Sequence, residues 1–211
     1  MNDVLKRIGQ LQLVPVVVLD SEEYATPLAD ALVGGGLPIA EVTFRTDAAE
    51  AAIRVLAQRG DLLVGAGTVL TVEQADRAID GGAAFIVAPG TNPKVVEHCL
   101  RRGVPIAPGV ATPTDVELAL SLGLETLKFF PAEVLGGVAA LRAISAPYGN
   151  VKFIPTGGIS TKNLLEYLQL PNVLACGGSW LAPRGKMADG EFAAIEQTVG
   201  QAVALLAKEA P

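Results

Sequence analysis

The stretch IAEVTF, residues 39–44, is a short run of apolar and β-branched side chains, which predicts a buried strand. Similar runs occur at residues 13–19, 62–65, 85–87, 105–107, 126–129, 151–154 and 173–176. Reference positions in successive runs lie 21 to 26 residues apart, which fits one strand plus one helix. Eight such units in a row predict parallel strands that alternate with helices.

The segments between the runs carry helix start and end signals. Ser21, Thr71, Thr112 and Ser160 stand where N-caps are expected, and several segments end in glycine. Parallel strands could form a closed barrel or an open doubly wound sheet. Eight near-equal units without a second domain favour the barrel. We therefore predict an α/β fold, a (β/α)8 TIM barrel in one compact domain over residues 1–211, with a final amphipathic helix around residues 192–208.

Composition excludes several classes of protein. A chain of 211 residues that is 50% hydrophobic and 18% charged must bury a large core. The net charge of −6, with no Lys/Arg run longer than two, predicts that nucleic acid is not a partner. The apolar run at residues 13–19 is too short to span a membrane and no signal segment opens the chain, so we expect a cytoplasmic protein without a membrane partner.

Cysteine and histidine are scarce. Cys99 and Cys176 are far apart and have no CxxC partner, which predicts reduced structural thiols. His98 is the only histidine, so a metal site built on two or three imidazoles lacks its ligands. We expect no bound metal and interpret His98 as an ordinary helix residue.

Charged side chains interrupt the second predicted strand. The two-residue period of a strand places Glu41, Thr43 and Arg45 on one face. The opposite face is apolar and would pack under the helices, so the charged set should point into the barrel. Glu41 and Arg45 could simply form an ion pair, but burying both charges costs several kcal/mol, which favours a function.

A lysine interrupts the sixth predicted strand. Lys128 stands where that strand should end, which is the end of a barrel that carries the chemistry. Burial favours the neutral amine, and a neutral amine on a rigid strand can attack a carbonyl to form a Schiff base. Alternatively, Lys128 points outward and reaches solvent between helices. Lys152 lies at the start of the seventh strand, so we interpret it as structural.

Glycine pairs follow the last two strands. Gly157-Gly158 comes after Thr156, and Gly177-Gly178 comes before Ser179. Bare backbone N–H groups at these two positions of a barrel, each followed by a helical turn, are typical of a phosphate site. Ordinary tight turns would also contain glycine, but they would not require it at both positions.

A third group of small residues follows the third and fourth strands. It comprises residues 65–68, which end in Thr68, and residues 88–90, which contain Pro89. The Thr68 hydroxyl and the Arg45 guanidinium could together hold a small carboxylate beside Lys128.

Five segments taken together carry a family resemblance. They are EVTFRT at residues 41–46, VGAGTVL at 64–70, KFFPA at 128–132, PTGGI at 155–159 and GGSW at 177–180. In this order they resemble the 2-keto-3-deoxy-6-phosphogluconate (KDPG) aldolases, which also act on 4-hydroxy-2-oxoglutarate. The resemblance implies a metal-independent class I aldolase on a (β/α)8 barrel, without a cofactor, that forms a homotrimer and acts on a small phosphorylated keto acid.

The resemblance also implies a role for each matching residue. Lys128 corresponds to the Schiff-base lysine and Glu41 to the general acid/base. Arg45 and Thr68 correspond to ligands of the pyruvyl carboxylate, and Pro89 and Phe130 to residues that line the pocket. The implied phosphate site comprises Thr156, Gly157, Gly158, Gly178 and Ser179.

Two alternatives stay open at this point. One is a related pyruvate aldolase that acts on the galactonate epimer or on the unphosphorylated substrate. The other is a barrel that binds a phosphorylated sugar without lyase activity. The chain also departs from some relatives, which carry a basic residue just after the first strand where this chain has Leu19-Asp20.

Overall fold

The predicted strands are present and all of them pair in parallel. The structure is a computed structural model that describes residues 2–207. Its strands are β1 (Leu13–Val17), β2 (Ile39–Thr43), β3 (Leu63–Gly67), β4 (Phe85–Val87), β5 (Ile106–Ala107), β6 (Gly109–Val110), β7 (Thr126–Phe129), β8 (Lys152–Pro155) and β9 (Cys176–Gly178). Nearly every strand residue is buried, as expected for strands covered by helices.

The strands close into a ring. One sheet has the order β5-β4-β3-β2-β1-β9, and a second has the order β6-β7-β8. Two isolated bridges, Phe153 to Val173 and Thr156 to Gly177, join β8 to the β9 segment. On the other side, β5 and β6 are consecutive halves of the predicted fifth strand. The (β/α)8 barrel prediction is therefore confirmed, with the fifth strand divided between its two neighbours.

Pro108 divides the fifth strand. Proline has no N–H to donate, so a continuous ladder cannot run through this position. Its carbonyl oxygen instead accepts from the Lys128 backbone N–H at 2.9 Å. The next residue must be small, because a Cβ on Gly109 would lie 2.0 Å from the Pro89 carbonyl oxygen.

The helices lie between the strands. They are α1 (Asp3–Leu11), α2 (Ala25–Gly34), α3 (Ala49–Arg59), α4 (Val72–Asp80), α5 (Pro93–Arg101), α6 (Pro113–Ser121), α7 (Gly137–Ser145), α8 (Leu164–Leu168), α9 (Arg184–Ala188) and α10 (Phe192–Ala207). Short 3₁₀ turns occupy Glu22–Tyr24 and Ser179–Leu181. The predicted end of the last helix, at residue 208, lies outside the described residues.

Two of the predicted N-caps begin an α-helix. The Thr71 side chain accepts from the Gln74 N–H, and Thr112 forms a capping box with Asp115. Ser160 was the wrong start for its helix, because α8 begins at Leu164. The Ser160 hydroxyl accepts from the Lys162 N–H within the preceding turn instead.

Helix α1 was not predicted. The Asn2 side chain caps it, and Leu5 and Ile8 face the N-terminal end of the barrel. It borders a cavity of about 370 Å³ that Lys152 also lines. The Lys152 ammonium donates to the Pro171 carbonyl at 2.9 Å, which fits a structural role at the strand's start.

The scarce residues have ordinary surroundings. Cys99 and Cys176 are buried free thiols, and burial raises the pKa of Cys99 to about 11. His98 lies on α5 with its Nε2 2.8 Å from Asp76. None of the helices within residues 2–207 is long and apolar enough to cross a membrane.

The packing at Gly109 gives a test of the barrel. Gly109→Ala places a methyl group against fixed backbone, so we expect a loss of about 1–3 kcal/mol in the free energy of unfolding, measured by chemical denaturation. Gly200→Ala is the matched control, since it has open space on helix α10 and should stabilise by about 0.5–1 kcal/mol. A Gly109→Ala protein as stable as the wild type would contradict this account of the fifth strand.

Candidate active site

A buried acid–base pair joins opposite walls of the barrel. Lys128 Nζ on β7 lies 3.2 Å from Glu41 Oε1 on β2. The two residues are only 6% and 3% exposed. The inward orientation predicted for Glu41 is therefore correct, and Lys128 also points inward and does not reach solvent between the helices. Because each charge is removed from water, each depends on the other for compensation.

The surroundings of this pair are apolar and tight. A Cβ on Gly67 would lie 2.2 Å from Glu41 Oε1, so the glycine provides the space that the carboxyl group occupies. The Phe130 ring centroid lies 5.2 Å from Lys128 Nζ, within cation–π range. Val14 and Ile154 line the small chamber next to the pair. The amine and the carboxyl lie close enough to exchange a proton directly.

Arg45 does not continue the β2 face. The strand ends at Thr43, whose hydroxyl donates to the Val17 carbonyl at 2.9 Å. Arg45 lies in the following turn and its backbone N–H donates to the Thr43 carbonyl. The predicted shared strand face of Glu41, Thr43 and Arg45 is wrong for Arg45. Its exposed guanidinium has no ion pair within residues 2–207 and is available to an anion.

Thr68 and Pro89 lie in the next two loops, after β3 and β4. Thr68 has a φ of 57°, which is rare for a β-branched residue and is a form of strain that clusters at functional sites. Both residues are half-buried. The loops that carry Arg45, Thr68 and Pro89 therefore follow three consecutive strands at the C-terminal end of the barrel, as predicted.

The two glycine pairs are neighbours. The bridge between Thr156 and Gly177 brings the end of β8 against β9. Gly157 and Gly158 have φ values of 102° and 80°, a region that favours glycine. Gly178 is buried in β9, and Ser179 is exposed directly after it.

The predicted helix dipole is absent from the first glycine pair. Helix α8 begins at Leu164, well after Gly158, and has only five residues. The element after Gly178 is a three-residue 3₁₀ turn. Backbone N–H groups in the loops, rather than a helix terminus, are thus what this edge offers to an anion.

Two further side-chain contacts lie near these loops. Tyr167 Oη donates to Glu133 Oε1 at 2.5 Å, just beyond the Lys128 strand. Asp20 forms a two-point contact with Arg184, at 2.5 and 2.6 Å, which lowers the pKa of Asp20. In the sequence, only the position of Glu133 directly after the KFFPA segment indicates that it lies near the site. Nothing in the sequence indicates the Asp20–Arg184 pair.

No cluster of three or more His, Cys, Asp or Glu side chains able to hold a metal ion occurs within the part of the chain that the structure describes. Charged groups in the barrel and in the loops after its strands include the Lys128–Glu41 pair, Arg45, Glu133 and the Asp20–Arg184 contact. This arrangement places an amine within hydrogen-bond distance of a carboxyl group.

Comparisons with known proteins show which family the chain resembles. The family model "Aldolase: KDPG and KHG aldolase" matches residues 4–198. A 2-dehydro-3-deoxy-phosphogluconate aldolase of Treponema pallidum (strain Nichols) is 51% identical over 196 residues, covering 92% of this chain and 93% of that protein. The KHG/KDPG aldolase of Escherichia coli (strain K12) is 42% identical, with 90% of each protein covered.

A solved structure extends the resemblance to the fold. The KDPG aldolase of Legionella pneumophila, with pyruvate captured at low pH as a covalent carbinolamine intermediate, superposes with a TM-score of 0.90. It is 38% identical, and the match covers 93% of this chain and 97% of that one. Since the family model spans nearly the whole chain and both curated relatives exceed 40% identity, this chain belongs to the KDPG and KHG aldolase family.

Proposed function

We propose that this chain is a metal-independent class I aldolase that cleaves KDPG to pyruvate and glyceraldehyde 3-phosphate and also acts on 4-hydroxy-2-oxoglutarate. The observation that carries the proposal is the buried Lys128–Glu41 contact inside the barrel. The Legionella relative, which captures pyruvate covalently, supports the covalent chemistry. The double name of the Escherichia coli relative supports the second substrate.

The first chemical step uses the Lys128 amine. Its nitrogen attacks the C2 ketone to form a carbinolamine, which loses water to give an iminium ion. Attack requires a neutral amine, and the Glu41 carboxyl lies at hydrogen-bond distance to accept the ammonium proton. The same carboxyl can return a proton to the hydroxyl that leaves as water.

The second step breaks the C3–C4 bond. Glu41 removes the proton of the C4 hydroxyl, and the bond electrons move toward the iminium nitrogen to give an enamine. Glyceraldehyde 3-phosphate departs as the aldehyde. Protonation of the enamine at C3 and hydrolysis of the resulting imine then release pyruvate and regenerate Lys128. The iminium nitrogen is the electron sink, a role that a metal ion plays in other aldolases.

Four residues are proposed to hold the pyruvyl part of the substrate. Arg45 and Thr68 bind the carboxylate, since an unpaired guanidinium and a hydroxyl in neighbouring loops are suitable donors. Pro89 and Phe130 line the pocket. The position of the Phe130 ring beside Lys128 Nζ supports this assignment.

The substrate's phosphate is proposed to bind the glycine loops. Thr156, Gly157 and Gly158 contribute from one side, and Gly178 and Ser179 from the other. The adjacency of the two loops and the positive φ values of Gly157 and Gly158 support a shared cradle of backbone N–H groups.

The assembly and location of the enzyme are part of the proposal. We propose that the chain folds as one barrel domain, works as a homotrimer and acts in the cytoplasm. Exposed leucines on α5 and α6, Leu100 and Leu118, support self-association. The two buried, unpaired cysteines fit a reducing compartment.

Trapping with pyruvate tests the lysine assignment. Borohydride reduction in the presence of pyruvate should convert the imine to a stable secondary amine on Lys128, located by peptide mass spectrometry. Lys128→Met should take up no pyruvate, whereas Lys152→Arg should be labelled like the wild type. A label on Lys152, or none, would contradict the Schiff-base role and favour a barrel that binds phosphorylated sugars without cleaving them.

Glu41→Gln tests the proton-transfer role. The amide keeps the shape of the side chain but cannot accept the proton, so kcat on KDPG should fall by about 10²–10⁴-fold. Glu97→Gln, on an exposed position of α5, is the matched control and should leave kcat unchanged. Circular dichroism verifies that both variants fold, and an unaltered kcat in Glu41→Gln would remove Glu41 from the mechanism.

Light scattering coupled to size exclusion tests the assembly. We expect the mass of three chains of 21.7 kDa each. Leu118→Glu should shift the protein toward single chains, because a charge in an apolar interface is costly. A wild-type protein that elutes with the mass of one chain would overturn the trimer.

A further inference from the structure

A buried tyrosine makes a short hydrogen bond beside the glycine loops. Tyr167, on α8, is fully buried, and its hydroxyl donates to Glu133 Oε1 at 2.5 Å. Glu133 lies in the loop after β7, the strand that carries Lys128. The contact therefore links the outer helix layer to the loop that follows the reactive lysine.

Glu133 in turn touches both glycines of the loop after β8. Its backbone N–H donates to the Gly157 carbonyl at 3.1 Å, next to a similar bond from Ala132 to Thr156 at 2.8 Å. Its side chain fills the space above Gly158, where a Cβ would lie 2.5 Å from Glu133 Cγ. The backbone of Gly157 and Gly158 is thus held by the position of Glu133.

The other side of the same loop is fastened separately. The Asn163 side-chain amide donates to the Gly158 carbonyl at 3.1 Å and accepts from the Ser160 N–H at 2.8 Å. The glycine loop is therefore restrained between Asn163 and Glu133. Glu133 also belongs to the loop that follows β7, whereas Asn163 lies just before α8.

The tyrosine is suited to be a permanent donor. Burial raises the pKa of Tyr167, and the hydrogen bond to Glu133 raises it further, so the hydroxyl stays protonated across the neutral range. A hydrogen bond from a neutral donor to a carboxyl group is among the stronger ones in proteins. No residue of this contact has a place in the mechanism above.

We propose that Tyr167 and Glu133 are positioning residues: their hydrogen bond holds the loop after β7 against the loop after β8 and thereby fixes the Gly157 and Gly158 N–H groups for the substrate's phosphate. The inference rests on the proposed function, which places the phosphate at these glycines. The Tyr167–Glu133 hydrogen bond would then favour a phosphorylated substrate over an unphosphorylated one.

Tyr167→Phe removes only the hydroxyl. We expect KM for KDPG to rise about tenfold, the factor that corresponds to about 1.4 kcal/mol, with kcat little changed. Both constants for 4-hydroxy-2-oxoglutarate, which has no phosphate, should stay within about twofold of the wild type. Tyr148→Phe is the matched control, since Tyr148 also donates to a glutamate, Glu117, and should alter neither substrate.

Variants of Glu133 provide a rescue. Glu133→Gln keeps an oxygen acceptor for Tyr167 and should retain a near-normal KM for KDPG, whereas Glu133→Ala should raise it as Tyr167→Phe does. If Tyr167→Phe does not fold, this comparison tests the same hydrogen bond. Equal losses on both substrates would show that the contact merely supports the barrel, and no change on either would also overturn the proposal.

Binding of inorganic phosphate separates this inference from the aldolase assignment. Titration followed by the amide resonances of Gly157 and Gly158 should show weaker phosphate binding by Tyr167→Phe than by the wild type. Equal binding, or no binding to the wild type, overturns the positioning role. The wild type could bind phosphate more tightly than the variant and yet form no imine with pyruvate. That result would support the positioning role and contradict the proposed function.

Discussion

The buried contact between Lys128 and Glu41 is the constraint on which the rest of the structure depends. The two residues are 87 positions apart in sequence and lie on opposite walls of the barrel. Breaking a buried pair by removing one partner costs about 3–5 kcal/mol, because the other charge is left without compensation. β2 and β7 must therefore be held at a fixed separation, which a closed ring of strands provides and a flexible edge of an open sheet does not.

Small residues make that separation possible. Gly67 leaves space for the Glu41 carboxyl, and on the same strand Gly65 leaves space for Phe85, whose ring carbons would lie 2.2 Å from a Cβ there. On the opposite wall, the division of the fifth strand at Pro108 turns a carbonyl toward the Lys128 N–H. Gly67 therefore gives the Glu41 carboxyl its space, and the Pro108 carbonyl fixes the backbone of the strand that carries Lys128.

Polar residues that interrupt apolar runs could be recognised as site candidates from the sequence alone. The two-residue period was enough to point Glu41 inward, because it lies within a paired strand. For Lys128 the sequence left an outward orientation open, and the structure decides for the inward one. The two-residue period failed for Arg45, since the end of β2 is set by its last pairing, Thr43 with Gly67, and not by side-chain pattern. The Tyr167–Glu133 contact could not be predicted from the sequence, because its residues are 34 positions apart and meet only through the path of two loops.

The net charge of −6 is compatible with an anionic substrate, because the carboxylate and the phosphate of that substrate are bound by different kinds of group. In the proposed function a guanidinium, Arg45, attracts the carboxylate by charge. The phosphate loop after β8 has neither a lysine nor an arginine among residues 156–160, and no helix begins at its glycines. Its attraction for phosphate must come from N–H groups that converge on the anion. These hydrogen bonds weaken steeply when the N–H groups point away from it. Binding of the phosphate therefore depends on the geometry of the backbone, and the contacts that fix that geometry matter more here than they would beside a formal positive charge.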